Sequence, residues 1–439
     1  MSFIYLHRLI YSIYYIDQVI QVKRSGDGIL TSRDYLTIDD FDIDGKTILV
    51  RVDLNTPMDT EDNILDDMRI KSHIPTIKDL EDAKVVLMAH QSRAGKKDFT
   101  TMKPHSQLMS QYLGKEVKYV DDIFGTHARS SIASMKKGDV ILLENVRFYS
   151  EESITRPAIE HSGTHMVRKL SPLIDIFLND AFAVSHRSHL SIMGFTETLP
   201  TGAGRVMEKE ISSLDRGVKG GERPCIFVLG GAKVDDSLTV AENVLSNGGA
   251  DKVLVTGVVA NVMLAASGVD IGSTNLDFIE SQGYTEQIER GKEILGKFNG
   301  KIGLPVDVAF NDGGKRIEAL VSELPDGNLP INDIGLETIV AFSDEIKAAK
   351  TVVLNGPAGL SEVEPFALGT HEIIKAAVQS EYSIAGGGHI SAEVRNLGYE
   401  EKFSHLSTGG GACIDYLAGA ELPGIEALKA AATRYRLNR

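Results

Sequence analysis

Arginine and histidine recur at matching places in the first half of this chain. Arg51, Asp53 and Asn55 close one apolar run, His90 and Arg93 follow a second, Arg147 follows another, and His186, Arg187 and His189 follow the last. Arg69 opens the first segment with helical spacing. Taken singly, each arginine reads as a solvated loop residue. Recurrence after strand upon strand, in a chain of formal net charge −15, asks for a common partner. A compact polyanion is such a partner, because planar guanidinium groups donate charge-assisted hydrogen bonds in fixed directions. The two histidines of HRSH (186–189) could ligate a metal, but no nearby Cys or Glu completes a set.

The second half offers a different chemistry. CIFVLGGAKVDDS (225–237) runs strand, glycine pair, lysine, helix. Gly230 and Gly231 fit two readings, a tight strand-to-helix turn or a loop whose backbone approaches phosphate, with Lys233 adding a mobile positive charge. Further glycines stand at Gly257, Gly356–Gly359, Gly386–Gly388 and Gly409–Gly411. Open backbone at several strand ends suits a nucleotide, whose base lies flat on such a wall and whose phosphates take N–H donors.

The elements that must position these residues alternate. Apolar runs at 47–54, 84–90, 117–120, 139–145 and 174–182 alternate with helical patterns at 68–80, 105–113, 125–135 and 164–170. A long amphipathic segment (203–221) follows, with Val206, Ile211 and Leu214 on one face. The alternation then resumes, with runs at 225–231, 251–257, 301–310, 351–357 and 382–388 and helical patterns at 236–245, 287–298, 336–349 and 370–378. This predicts an α/β protein of two doubly wound, Rossmann-like parallel-sheet domains joined by a helical hinge. Such sheets bind ligands at the carboxyl ends of their strands.

Composition narrows the class. The chain has 439 residues, 42 glycines and no tryptophan, as expected of a soluble protein with two cores. Its acidity argues against nucleic-acid and membrane-surface partners, and no apolar run approaches the roughly 20 residues of a membrane span. Two cysteines, Cys225 and Cys413, without a paired spacing, suit a reducing cytoplasm. Residues 1–32 read as an extension outside the main fold. GxxxxGK[ST] and a helix-opening GxGxxG are both absent, which removes P-loop enzymes and disfavours a nicotinamide dehydrogenase. A non-catalytic anion-binding protein would show the arginines but would not need the glycine-rich second half.

The motifs RVDLNTP (51–57), AHQSRAG (89–95), ENVRF (144–148), DAFAVSHRSH (180–189), GGAKVDD (230–236), NGPAG (355–359) and STGGGA (407–412) resemble phosphoglycerate kinase, in order, from about residue 33 to residue 426. The resemblance implies transfer of the acyl phosphate of 1,3-bisphosphoglycerate to MgADP, giving 3-phosphoglycerate and MgATP. It implies an N-terminal glycerate-binding domain (33–203), a nucleotide domain with the interdomain helix (204–406) and a C-terminal segment (407–439) returning to the first domain. It assigns Asp53, Leu54, Asn55, Arg69, His90, Gln91, Ser92, Arg93, Arg147 and Arg187 to the glycerate substrate. Lys233, Glu362, Gly387, Gly388, His389 and Ile390 fall to the nucleotide, the last four at the start of a helix expected near Ser391. Arg69 and Lys233 would act on the phosphoryl group in flight, and Arg51 would support its loop.

Two positions depart from the bacterial and eukaryotic pattern. Ser237 stands where a second lysine is usual, and GGGHI (386–390) where GGGDT is usual, which resembles the archaeal branch. The missing aspartate is the usual protein contact to magnesium, so Mg2+ is expected to enter with ADP or ATP, held mainly by nucleotide phosphates and water. The expected assembly is a monomer, with a homodimer as the alternative.

Overall fold

The computed structural model of the chain describes residues 33–219, 221–324 and 329–437. The expected extension at 1–32 lies outside the described residues. The chain divides into two compact units, one reaching Lys209 and resuming at Glu421, the other spanning Glu210–Ala420. The boundaries expected at 203/204 and 406/407 lie upstream of the first and of the second division respectively.

Six strands build the sheet of the first unit: β1 (Thr47–Arg51), β2 (Lys84–Met88), β3 (Val117–Val120), β4 (Val140–Leu143), β5 (Ile176–Asn179) and β6 (Thr201–Ala203). Their order is β3-β4-β2-β1-β5-β6 and every pairing is parallel. All five residues of β1 and all four of β4 and of β5 are buried. That is the signature of strands covered on both faces, and it is why they read as unbroken apolar runs. β6 was not expected, because Thr-Gly-Ala carries no strand signal. It adds to the sheet by pairing Phe177 with Thr201 and Asn179 with Ala203. The Gly202–Gly204 segment, a hinge candidate from sequence, thus lies at an edge of this sheet. The C-terminal helix Pro423–Leu437 belongs to the same unit. Its Tyr435 meets Phe41 edge to face at 6.1 Å between ring centroids, and its Arg434 donates to the Thr196 carbonyl at 2.9 Å.

β1 lies between β2 and β5, so the chain leaves it toward one edge of the sheet and later returns on its other side. The carboxyl ends of β1 and β5 therefore frame the crevice where such sheets take ligands.

The second unit repeats the device. Its sheet orders β15 (His405–Leu406), β14 (Tyr382–Gly386), β13 (Thr351–Asn355), β7 (Cys225–Leu229), β8 (Lys252–Val255) and β9 (Ile302–Gly303), all parallel. The reversal here falls between β7 and β13. The run at 301–310, expected as one strand, is two. β9 ends at Gly303, and Pro305, which has no N–H for a ladder, separates it from β10 (Asp307–Asp312). β10 instead joins β11 (Lys315–Leu320) and β12 (Ile331–Ile334) in a separate antiparallel sheet ordered β11-β10-β12.

Helix Gly257–Ala266 was also missed. Seven of its ten residues are buried, so it shows no polar face for a 3.6-residue period to reveal. The amphipathic segment forms helix Arg205–Val218, with Met207, rather than the expected Val206, buried together with Ile211 and Leu214. Among the described residues no helix is long and apolar enough to cross a membrane.

Candidate active site

At the end of β1 the largest fully buried side chain is a cation, Arg51, 1% exposed. An unpaired guanidinium could not remain there, since burying a charge without partners is prohibitive. Its Nε donates to Ser191 Oγ at 2.8 Å, and Ser191 Oγ in turn donates to Glu152 Oε1 at 2.7 Å. Glu152 also accepts the Ser191 N–H at 2.9 Å. Burial pushes the Glu152 carboxyl up and Arg51 draws it back down, while burial presses Arg51 down and Glu152 and Asp53 hold it up. A second arm of Arg51 donates to the Val52 carbonyl, and Nη2 reaches His90 Nδ1 at 3.1 Å. Arg51 can only donate, so His90 accepts on Nδ1 and keeps its proton on Nε2.

His90 is the electrostatic focus. Burial drives its pKa well below the ordinary histidine value, and Arg51, Arg147, Arg187 and Arg69 push in the same direction. Four guanidinium groups from four separate stretches of the chain thus act on one neutral imidazole. Burial first, then Arg147, Arg187 and Arg51, also lowers His189 to about 4. Arg147 itself is pushed down to about 10 by burial and by Arg187 and Arg51. Such mutual repulsion is what an anion would relieve.

The remaining expected residues divide into those that face the cluster and those that build it. Arg69, in helix Met68–Lys78, pairs with Asp53, and the Asp53 carboxylate also accepts the Asn55 N–H at 3.2 Å. Asn55 Oδ1 accepts the Ser92 N–H at 2.7 Å, and Arg147 donates to the Ser92 carbonyl at 2.7 Å. Ser92 takes a left-handed backbone, φ 52°, and donates its hydroxyl to Asp98 at 2.6 Å. Arg187 donates through Nε to His186 Nε2 at 3.1 Å. Arg93 is exposed on the loop after β2.

Leu54 and Gln91 turn inward. Leu54 belongs to the apolar core, so only its backbone can serve a ligand. The Gln91 amide accepts the Thr56 N–H at 3.1 Å and donates to the carbonyls of Thr56 and Asp98 at 2.8 and 3.2 Å. Its work is to fasten the β1 loop to the β2 loop. Asn145 does the same one strand over, donating to the carbonyls of Gln91 and Thr100 at 2.9 and 2.8 Å. Asn145, Glu152, Ser191 and the buried His105, lowered to about 4 by burial, were not singled out from the sequence. A buried Glu and Ser carry no local signature that separates them from surface residues.

In the second unit the glycine pair after β7 resolves as a tight turn. Gly230 and Gly231 donate their N–H groups to the carbonyls of Asn355 and Pro357 at 2.8 Å each, and Gly257 donates to Ala358 at 2.9 Å. A Cβ on Gly230 would overlap the Pro357 carbonyl and the Thr256 hydroxyl. These glycines let β7, β8 and β13 end against one another, and their N–H groups are spent on backbone. Other N–H groups, those of Gly388, His389 and Ile390, stand at a helix start. Helix Gly388–Asn396 begins there, three residues before the expected start near Ser391, and its first turn has no intrahelical acceptor. The Ile390 side chain is core, so that residue offers backbone only.

His389 and Glu362 line one cavity of about 680 Å3 with Gly231, Phe278, Pro357 and Leu360. Lys233 stands exposed at the cap of helix Val234–Ser246, next to Ala232 of the cavity wall. Ser237, one turn further on, is buried. Asp333 also reaches the cavity, but its oxygens are taken by Arg316 at 2.7 Å, the Gly369 N–H at 2.9 Å and the Ile334 N–H at 2.9 Å. Among the described residues no group of three His, Cys, Asp or Glu could hold a metal ion.

Comparison with known proteins bears on both sites. The family model described as phosphoglycerate kinase matches residues 38–420. A phosphoglycerate kinase of Methanosarcina mazei is 72% identical over 408 residues, 93% of this chain and 98% of that protein. Phosphoglycerate kinase 2 of Methanosarcina acetivorans matches to the same extent. The crystal structure of phosphoglycerate kinase from Pyrococcus horikoshii OT3 superposes with a TM-score of 0.83 at 41% identity, covering 91% of this chain and all of that one.

The histidines set a pH dependence. His105 and His189 lie near 4 when folded and near 6.5 when unfolded. Between those values the unfolded chain binds more protons, so stability is present above pH ~6.5 and is lost as pH falls toward ~4. Urea midpoints measured from pH 7 to 4 should fall steadily, with both imidazoles still neutral by NMR at pH 5. Protonation of either ring at pH 6 in the folded protein would contradict the assignment.

Proposed function

The chain belongs to the phosphoglycerate kinase family, enzymes that move a phosphoryl group to or from a carboxyl group, and from that premise we propose its reaction in detail. The acyl phosphate of 1,3-bisphosphoglycerate passes to the terminal phosphate oxygen of MgADP. The bond from phosphorus to the carboxyl oxygen breaks, a bond to the nucleotide oxygen forms, and 3-phosphoglycerate and MgATP leave. The reverse uses the same groups. The observation that carries this reading is the convergence of Arg51, Arg69, Arg147 and Arg187 on His90 at the carboxyl ends of one sheet.

In this proposal Arg147, Arg187, Arg93 and the Nε2–H of His90 hold the 3-phosphate and carboxylate. Asp53 and Asn55 take the hydroxyl and carboxylate end, with backbone help from Leu54 and Ser92, and Gln91 keeps the loop in place. Arg69, whose pairing with Asp53 aims it at the same loop, meets the phosphoryl group in transit. On the nucleotide side Glu362 accepts from the ribose hydroxyls, the N–H groups of Gly388, His389 and Ile390 take phosphate oxygens, and Lys233 accompanies the transferring group. Gly387 opens that helix with φ 98°, a backbone only glycine adopts freely.

The residues present suit the mechanism. Phosphoryl transfer needs alignment and charge stabilisation more than covalent catalysis. The attacking oxygen is already anionic, so no general base is required. Magnesium enters as part of the nucleotide substrate, held by phosphates and water. A first-shell protein carboxylate in an MgADP complex would overturn that point. Two substrates carried by separate units react only when water is excluded and the oxygens are nearly in contact, so the proposal includes closure about the Gly202–Gly204 segment, helix Arg205–Val218 and Ser407–Gly411. The cytoplasm is the compartment proposed.

Arg69→Ala should lower kcat for ATP-dependent phosphorylation of 3-phosphoglycerate by about 10³-fold, with KM for the glycerate rising less than about ten-fold. Equal losses in both would make Arg69 a binding residue only. Small-angle scattering should show a smaller radius of gyration with both substrates than with either alone; an unchanged radius would remove closure from the account.

A further inference from the structure

Helix Met68–Lys78 carries three polar side chains on one face, Arg69, His73 and Thr76, at the four- and three-residue spacings that align on a helix. Arg69 pairs with the carboxylate of Asp53. His73, 2% exposed, accepts the backbone N–H of the same Asp53 on Nε2 at 3.0 Å. Asp53 is thus gripped by side chain and by main chain from one helix.

Because Nε2 accepts, the His73 proton sits on Nδ1, which donates to Asp180 Oδ2 at 2.7 Å. Asp180 is fully buried at the end of β5, and Thr76 Oγ1 donates to the same oxygen at 2.7 Å. The other oxygen of Asp180 accepts the N–H groups of Val206 and Met207 at 2.8 and 3.3 Å. These are first-turn donors of helix Arg205–Val218, which a helix leaves without internal partners. The Arg205 N–H donates to Thr76 Oγ1 at 3.1 Å, and a Cβ on Gly204 would overlap Asp180. Asp180 is therefore a capping residue brought from another strand, and its second oxygen is committed to the helix that holds Asp53.

We propose that His73 is a positioning residue that, through Asp180, couples occupancy of the Asp53 loop to the N-terminus of helix Arg205–Val218. The chain is short and has no slack: Asp53 N–H, His73, Asp180, then the Val206 and Met207 N–H groups. A ligand that draws Asp53 or Arg69 toward itself pulls on the imidazole that orients the Asp180 cap. The coupling rests on the proposed binding of 3-phosphoglycerate at Asp53. The link itself rests only on these hydrogen bonds.

Hydrogen exchange on the full chain separates the two. Without ligand, His73→Phe and Thr76→Val should each speed exchange at Val206 and Met207 by about ten-fold; unchanged exchange in both overturns the link whatever the substrate. With saturating 3-phosphoglycerate, wild-type exchange there should slow. His73→Phe should lose that response while calorimetry still shows the glycerate bound, with KM for it raised about ten-fold and KM for ATP within about two-fold. His73→Gln, whose amide offers one acceptor and one donor, should restore the response. A wild type that turns over 3-phosphoglycerate but shows no change at Val206 and Met207, or a His73→Phe variant that responds like wild type, overturns the coupling. A wild type without turnover sinks the functional reading instead, and the ligand-free comparison still decides the link.

Discussion

Like charges must be brought together at the end of one sheet and kept there before any substrate arrives; the first unit is arranged around that constraint. Arg51 is the extreme case, a guanidinium with no access to water. Ser191 and Glu152 make it tolerable, and its position fixes the His90 proton on Nε2. Removing either anchor would leave an uncompensated charge in the core, the costliest kind of polar defect. The other cations, Arg69, Arg147 and Arg187, are only partly buried; Arg187 and Arg51 work against the charge on Arg147, and the cluster opposes protonation of His90 and His189. An incoming polyanion converts that stored repulsion into attraction. Preorganisation of this kind is a large share of what a phosphotransferase can contribute.

The second unit uses the same topology for another purpose. At its reversal between β7 and β13, close backbone packing takes the place of charge, with Gly230, Gly231 and Gly257 interlocked. The wall this creates is narrow in side chains and leaves a cavity beside it, while the N–H groups proposed for the phosphates belong to a different helix start, at Gly388. Ser237 is buried one turn into helix Val234–Ser246. Lys233 and Asp235 are exposed at the start of that helix, and His389 lines the cavity from the start of helix Gly388–Asn396.

The sheets were legible in the sequence because strands buried on both faces are unbroken Val/Ile/Leu runs, and the arginines were legible because their recurrence was periodic along the fold. Helix Gly257–Ala266 was hidden by being apolar all round, and the split of 301–310 was hidden because one proline had to outweigh a ten-residue apolar pattern. Within the site, Arg51, Asp53, Asn55, His90 and Arg147, which follow strands, and Arg69, which opens a helix, sit in one connected network. Glu152, Ser191, His73 and Asp180 could not be found that way. Their roles come from contacts between residues far apart in sequence, which neither residue type nor spacing encodes. The glycine pair at 230–231 shows the converse: the motif stood out, but its N–H groups serve the turn, and the donors proposed for the ligand lie more than a hundred residues further on.

If converging charge in the first unit recognises the glycerate anion, calorimetric titration of the intact protein with 3-phosphoglycerate at increasing potassium chloride should show it. One molecule should bind per chain, with an affinity that falls steeply as salt screens the cluster. Binding that is absent at low salt, or unchanged as salt rises, would contradict that recognition.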